Sequence, residues 1–437
     1  MTETLRPAFA DRPRPLLSYG IPFPTAAARH ITDLFHASKI YILCSASLAH
    51  NTDALDRLTR ALGPNKIAGT RIGMQSHTLW SEVLEVVRDA QAAEVDLLIT
   101  LGGGSLTDAA KVVALAITNN TTTPDTLLTL TTEPPTPNPP IKPPSIPIIS
   151  IPTSLSAGEY SSFAGATHDT SRRKYSFGAP IRGPQLVILD PELTATTPER
   201  IWLGTGIRAV DHCVETYLSS GVGSKDGVTE ETDRLALHAL GLLVPGLVRC
   251  RRLDNKEGGI DGEEEDGDDD GGKAARLDCA LGSVDAMAAC SAGLPLGASH
   301  GIGHQLGPFG VPHGETSCIL LPAVCKYNAK HSSSSTSSST SDVTVRQTKL
   351  RDFLLRQEGV SGVVRKHYAE AAEVDLGDVL DAVIRELGLP RSLQAVGVGR
   401  DQFDALAEHS LRDRWCRANV VSLQEKGQVL EILDMVA

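Results

Sequence analysis

The stretch Val95-Asp96-Leu97-Leu98-Ile99-Thr100-Leu101-Gly102-Gly103-Gly104-Ser105-Leu106-Thr107-Asp108-Ala109-Ala110-Lys111 decides the fold. Residues 95–100 form a short apolar run of the kind that makes a strand buried on both faces. Three glycines follow, and Asp108 to Ile117 then reads as an apolar helix. Glycine lets a backbone approach a ligand closely. A helix beyond the glycines presents free N–H groups and the positive end of its dipole, which suits a pyrophosphate. Ser105 and Asp108 stand three residues apart, the spacing of a capping pair. A tight strand–helix turn would need fewer glycines than these three. The run is neither a G-x-G-x-x-G fingerprint nor a Walker loop.

The neighbouring segments extend the pattern. Lys39 to Cys44 and Ile146 to Ile151 read as strands, and Ser81 to Ala93 has the apolar spacing of a helix. Arg172 to Tyr175 and Gln185 to Leu189 read as further strands. This strand–helix alternation predicts a parallel sheet covered by helices. Residues 119–145 are rich in Thr and Pro and are predicted to form a surface loop without helix.

After Asp190-Pro191 helical patterns take over, at 204–218, 229–250, 274–292, 363–388, 401–413 and 424–436. The expected division is an α/β domain over 1–195 and a helical domain over 196–437. Two low-complexity insertions interrupt the second, an acidic one at 254–272 and a Ser-rich one at 332–341. Neither can bury a core, so both are expected to be disordered.

With 437 residues, 41% hydrophobic and 22% charged, the chain is long and apolar enough for two globular domains. Its net charge is -12, and residues 254–270 carry most of it, with ten acids against one lysine. The remainder is close to neutral, which gives no field for nucleic acid or anionic lipid. Aromatics at 4% argue against a base-stacking surface. None of the eight cysteines forms a C-x-x-C pair, so reduced thiols are expected. No apolar run reaches membrane-spanning length, and Met1 to Pro15 is polar with no secretory core after it. A soluble cytoplasmic protein with no nucleic-acid or membrane partner is the expectation.

Three further segments carry chemistry. Pro152-Thr153-Ser154-Leu155-Ser156-Ala157-Gly158-Glu159-Tyr160 places small hydroxyl residues just after a buried strand, where doubly wound sheets bind ligands. An ordinary loop has the same composition. His300-Gly301-Ile302-Gly303-His304, with His313-Gly314 close behind, gathers three histidines within fourteen residues. Such a group can ligate a cation or move protons. Gly206 to Glu215 reads as a helix on which Arg208 and His212 share a face. Asp211 and Glu215 share the neighbouring face, about 100° round. The plain alternative there is a polar stripe on an ordinary helix.

Together these motifs resemble the iron-containing alcohol dehydrogenase family, with its dehydroquinate synthase-like fold. The order matches: G-G-G-S-x-x-D-x-x-K, a Pro-Thr-Ser loop ending in Glu159, H-x-x-E at His212, then H-x-x-x-H and His313-Gly314. Leu389-Pro390-Arg391-Ser392-Leu393 also looks like a family element. The resemblance implies an N-terminal dinucleotide-binding α/β domain, an all-α C-terminal domain, and hydride transfer with NADH or NADPH. It implies that Gly102, Gly103, Gly104, Ser105 and Asp108 hold the pyrophosphate side of the cofactor. It places Thr153 and Ser154 near the nicotinamide half and makes Lys174 a cofactor contact. Cys44-Ser45-Ala46-Ser47 offers no acid for the ribose hydroxyls, which permits NADPH.

Metal-dependent members of the family place an Asp four residues before the helix histidine. Here that residue is Arg208, while His212, His300 and His313 match the three histidine ligands. A guanidinium cannot ligate a cation and repels one. Three imidazoles can still bind zinc, so any metal would sit on His212, His300 and His313, but no metal is expected. The maleylacetate reductase branch resembles the chain best, because it also lacks the ligating Asp and has the short loop after Pro-Thr. That branch implies reduction of maleylacetate or a similar oxo-enedioate to 3-oxoadipate, in aromatic-compound catabolism. Arg208 would then pair with a substrate carboxylate or the developing enolate. His212, His300 and His313 would support the oxyanion, and His304 would relay a proton. The alternatives are a related reductase of another carbonyl, as in secondary metabolism, and a dehydroquinate synthase-like lyase. A homodimer would be ordinary for the fold.

Overall fold

The computed structural model describes residues 2–75, 78–133, 140–219, 230–257, 269–332, 338–368 and 374–437. The chain divides into two compact units, Met1–Thr197 and Pro198–Ala437.

The first unit is built on a seven-stranded sheet. Its strands are Thr4–Phe9 (β1), Arg12–Tyr19 (β2), Ile40–Cys44 (β3), Ile67–Ile72 (β4), Leu97–Gly102 (β5) and Ile148–Pro152 (β6). A separate antiparallel pair, Ala164–Thr167 (β7) and Lys174–Phe177 (β8), precedes the last sheet strand, Leu186–Ile188 (β9). The order across the sheet is β1-β2-β9-β6-β5-β3-β4, parallel except for the β1–β2 hairpin. Every residue of β3, β5 and β6 is buried, because helices cover both faces. Alternation within them splits the core: Tyr41, Leu43 and Leu98 pack with Trp80 and Val83 on one side. Ile40, Ile42, Leu97 and Ile99 pack with Phe23, Ile31 and Leu58 on the other. The buried Thr100 hydroxyl donates to Ser150 Oγ at 3.0 Å, so a polar pair between neighbouring strands is satisfied inside the sheet.

The Thr/Pro-rich stretch departs from the sequence expectation. Pro124–Leu128 is a short helix, with Thr123 and Thr126 in a capping box and Pro124 in its first turn. Proline is acceptable there because its missing N–H would have no helical partner. Residues 134–139 of that stretch lie outside the described residues.

In the second unit all regular structure among the described residues is helical. Helix Glu199–Leu218 packs against Glu230–Glu257, Asp269–Cys290 and His313–Ser332. Ala298–Leu306 lies beside His313–Ser332, over a core of Ile302, Leu320, Tyr327, Leu406 and Ile432. The span 363–388, read from sequence as one helix, is two: Val360–His367 and Leu376–Glu386. The second starts at a capping box formed by Asp375 and Asp378. The expected insertions are also shorter than the low-complexity runs. Glu230–Glu257 and Asp269–Cys290 run into the acidic stretch from either side, and Ser338–Leu355 includes the end of the Ser-rich one. Residues 258–268 and 333–337, on which the rest of the disorder expectation falls, lie outside the described residues. No described helix is long and apolar enough to cross a membrane.

Candidate active site

In the first unit, β5 ends at Gly102 and helix Gly104–Thr118 begins two residues later. Gly102 has φ +139°, and a Cβ there would lie 2.8 Å from Leu106 Cδ1 and 2.9 Å from Ser45 Cβ. Only glycine fits that bend. Gly103 and Gly104 differ. A Cβ on Gly103 would approach nothing nearer than Ser154 Oγ at 4.0 Å, and one on Gly104 would meet Ser156 Cβ at 3.6 Å. The backbone entering the helix is therefore uncovered, and the Ser154 and Ser156 hydroxyls, 3.2 Å apart, face it. Free N–H groups, a helix dipole and two hydroxyls are suitable donors for a pyrophosphate. Thr153 is buried behind this edge, its N–H bonded to Gly102 O at 3.2 Å.

The Ser105–Asp108 capping pair does not form. Gly103 is the N-cap, with no side-chain cap. Asp108 turns the other way, accepting Gly165 N–H at 3.2 Å and Lys111 Nζ at 3.4 Å. Lys111 is the reason. Its side chain is fully buried, and its ammonium donates to Gly158 O at 2.6 Å and Phe163 O at 2.7 Å. A buried ammonium needs such acceptors and a counter-charge. Beside it, burial pushes the Glu159 carboxyl up to about 7, against the pull of Lys111. Asp108 thus braces the glycine loop against residues 158–165, and its contacts are with the protein. Lys174 is exposed at the start of β8, and its stem lies across Gly165.

In the second unit, two glycines set the geometry. A Cβ on Gly314 would lie 2.6 Å from the Gly204 carbonyl carbon, so helices Glu199–Leu218 and His313–Ser332 touch backbone to backbone. One turn further along, Arg208 Nη1 donates to Ser317 Oγ at 3.0 Å. Arg208 Nη1 also lies 3.8 Å from Asp211 Oδ2, and Asp211 is completely buried. The same Asp211 oxygen accepts Ser317 Oγ at 2.6 Å and Ser299 Oγ at 2.8 Å. Burial pushes the Asp211 carboxyl up, and Arg208 and His300 oppose the shift.

His300 is buried, with its ring stacked on His212 at 4.7 Å between centroids. Its Nδ1 is 2.7 Å from Glu215 Oε2. Glu215 also accepts Gly297 N–H at 2.7 Å and Ser299 N–H at 2.8 Å. Burial pushes the Glu215 carboxyl up to about 7 against these backbone donors, and in its ionised form it accepts the His300 proton on Nδ1. Nε2 keeps the lone pair, and among the described residues it is buried without a partner. Burial drives both His212 and His300 well below the usual imidazole range, and Arg208 adds to the effect. Both rings are neutral at ordinary pH. His304 is partly exposed, with Nδ1 2.9 Å from Asp413 Oδ2, and its ring lies 6.4 Å from that of His313.

Arg208, His212 and His300 therefore converge, and His304 pairs with His313 at the exposed end. Asp211, Glu215 and His300 also bring one ligand atom each within 4.8 Å of one another. Sequence reasoning gave no role to Asp211, Ser299, Ser317 or Lys111. Glu215 was visible as part of H-x-x-E and as the face-mate of Asp211, without a role.

The chain thus carries a largely parallel sheet with a glycine-rich strand–helix turn in its first unit and clustered histidines in its helical second unit. The iron-containing alcohol dehydrogenase description matches residues 21–191, and the C-terminal description of the Fe-containing alcohol dehydrogenase family matches 263–436. Dehydrogenase FUM7 of Gibberella moniliformis is 38% identical over 97% of this chain and 96% of its own. Dehydrogenase ALT3 of Alternaria alternata is 37% identical over 92% of this chain and 99% of its own. The maleylacetate reductase structure from Agrobacterium tumefaciens superposes with TM-score 0.69 at 21% identity, covering 100% of this chain and 97% of that one. The chain belongs to the iron-containing alcohol dehydrogenase family, and it is an oxidoreductase of that type.

Proposed function

We propose that the protein is an NAD(P)H-dependent reductase of an anionic carbonyl or enone substrate, of the maleylacetate reductase type, and that it needs no catalytic metal. The observation that carries this reading is the Arg208 side chain, only 12% exposed and close to two neutral histidines. Reduced nicotinamide, when bound, supplies the hydride. Gly102, Gly103, Gly104, Ser105, Thr153, Ser154 and Lys174 are the residues we assign to the nucleotide. Asp108 acts on it through Gly165 and Lys111.

On an oxo-enedioate, hydride adds to the alkene carbon β to the ketone, and the electron pair moves to the ketone oxygen. Arg208 faces that oxygen or the neighbouring carboxylate with a permanent positive charge. His300 cannot donate to it while Glu215 holds its proton on Nδ1, so His300 and the stacked His212 shape the site as neutral rings. His304, partly exposed and oriented by Asp413, delivers a proton to the α-carbon of the enolate and is reprotonated by water, with His313 beside it.

The donor chemistry fits a metal poorly. Arg208 has no lone pair to give. The Glu215 and Asp211 oxygens already accept four hydrogen bonds from Gly297, Ser299 and Ser317. His300 turns its protonated Nδ1 toward those carboxylates, which takes that nitrogen out of an Asp211–Glu215–His300 ligand set; its Nε2 keeps a lone pair, with the Arg208 charge nearby to oppose a cation.

A second reading is a reductase of another carbonyl. It is favoured by the 38% and 37% identities to the two fungal dehydrogenases. A panel of maleylacetate, other oxo-acids and neutral aldehydes, followed by nicotinamide absorbance, separates the two. Preference for the dianion is the expected result. Preference for neutral aldehydes overturns the first reading.

A further inference from the structure

Asp211 is fully buried and lies at the join of three helices. Its Oδ2 collects the hydroxyls of Ser299, at 2.8 Å, and Ser317, at 2.6 Å. Ser317 in turn accepts Arg208 Nη1 at 3.0 Å, and the carboxylate itself is 3.8 Å from that nitrogen. Among the described residues, Asp211 Oδ1 is buried with no partner. Such a carboxylate is costly to desolvate unless a cation stays close to it.

From this geometry we propose that Asp211 is the positioning residue for Arg208, acting directly and through Ser317. It holds the guanidinium in one place and supplies the counter-charge that keeps it folded there. The second consequence is substrate choice. An arginine fixed on one edge by Ser317 offers its remaining N–H groups to one side, in the fork that matches a carboxylate. Asp211 thereby sets the preference for an anionic over a neutral carbonyl substrate. The inference rests on Arg208 being the partner of the substrate's negative charge.

A double-mutant cycle tests it. The readout is the ratio of kcat/KM for maleylacetate to kcat/KM for a neutral aldehyde, in wild type, Asp211→Asn, Arg208→Gln and the double variant. Removing a charge-assisted contact of this kind should lower the ratio about tenfold in Asp211→Asn. The loss should fall mainly on KM for the dianion. The double variant should match Arg208→Gln alone, because Asp211 acts only through Arg208. Additive losses overturn the proposal. If Arg208→Gln itself leaves the ratio unchanged, the reading of Arg208 has failed, and the proposal with it. A lowered ratio in Arg208→Gln with none in Asp211→Asn overturns the positioning role alone. Should Asp211→Asn fail to fold, Ser317→Ala carries the test. It keeps the charge but breaks the bridge, so a lowered ratio supports the proposal and an unchanged ratio overturns it.

Discussion

At the glycine loop of the first unit the open surface is backbone, whereas at the histidine cluster of the second it is side chain. Gly103 and Gly104 contribute bare N–H groups and open space, braced from beneath by Lys111 and Asp108. Arg208, Asp211 and Glu215 of one helix instead form a network with His300 and Ser299 of a second and Ser317 of a third. A backbone site depends on local conformation, so single side chains matter mostly through stability. A side-chain network depends on charge balance, so single changes redirect chemistry.

The largest expected effect breaks the brace. Lys111→Met leaves the Gly158 and Phe163 carbonyls and the buried Glu159 without their cation, and should cost about 3–5 kcal/mol of stability. Thermal or denaturant unfolding measures it. Next comes Arg208→Met, which should lower kcat/KM for an oxo-enedioate about 10²–10³-fold while nucleotide affinity holds. Steady-state rates beside a nucleotide titration by fluorescence separate the two. Equal losses in both would place Arg208 in the structure rather than in the chemistry.

The neighbouring glycines sharpen the contrast. Gly102→Ala meets Leu106 and Ser45 at a positive φ and should cost about 1–3 kcal/mol in unfolding experiments. Gly103→Ala meets open space, so stability should hold while nucleotide affinity falls. The smallest effect is a pH dependence. Burial raises Glu159 from its ordinary 4.5 to about 7, so the folded state binds the extra proton between those values. The stability contribution is fully present below 4.5 and is lost as pH rises through about 7. Glu159→Gln should flatten that part of the stability–pH curve, and an unchanged slope would contradict the assignment.

Much of the first half was legible because its signals are local. β5, the glycines and the helix after them lie within 22 consecutive residues, Leu97–Thr118. The misread capping pair shows the limit. Ser105 and Asp108 have capping spacing, but the buried Lys111 draws Asp108 toward Gly165, 57 residues away. In the second unit the histidine spacings showed where chemistry gathers, not how it is held. Ser299 and Ser317 stand 88 and 106 residues from Asp211, and nothing local marks either. Helix His313–Ser332 was missed because it is buried on nearly every side, which removes the amphipathic period. The break before Leu376 was readable, since Asp375 and Asp378 carry capping spacing.

The most direct measurement is oxidation of NADH and NADPH with maleylacetate by chelator-stripped enzyme, before and after iron or zinc is added. A metal-free mechanism requires full turnover in the stripped enzyme and no gain from either metal. Turnover that appears only when metal is restored would contradict it, and would make His212, His300 and His313 ligands despite Arg208.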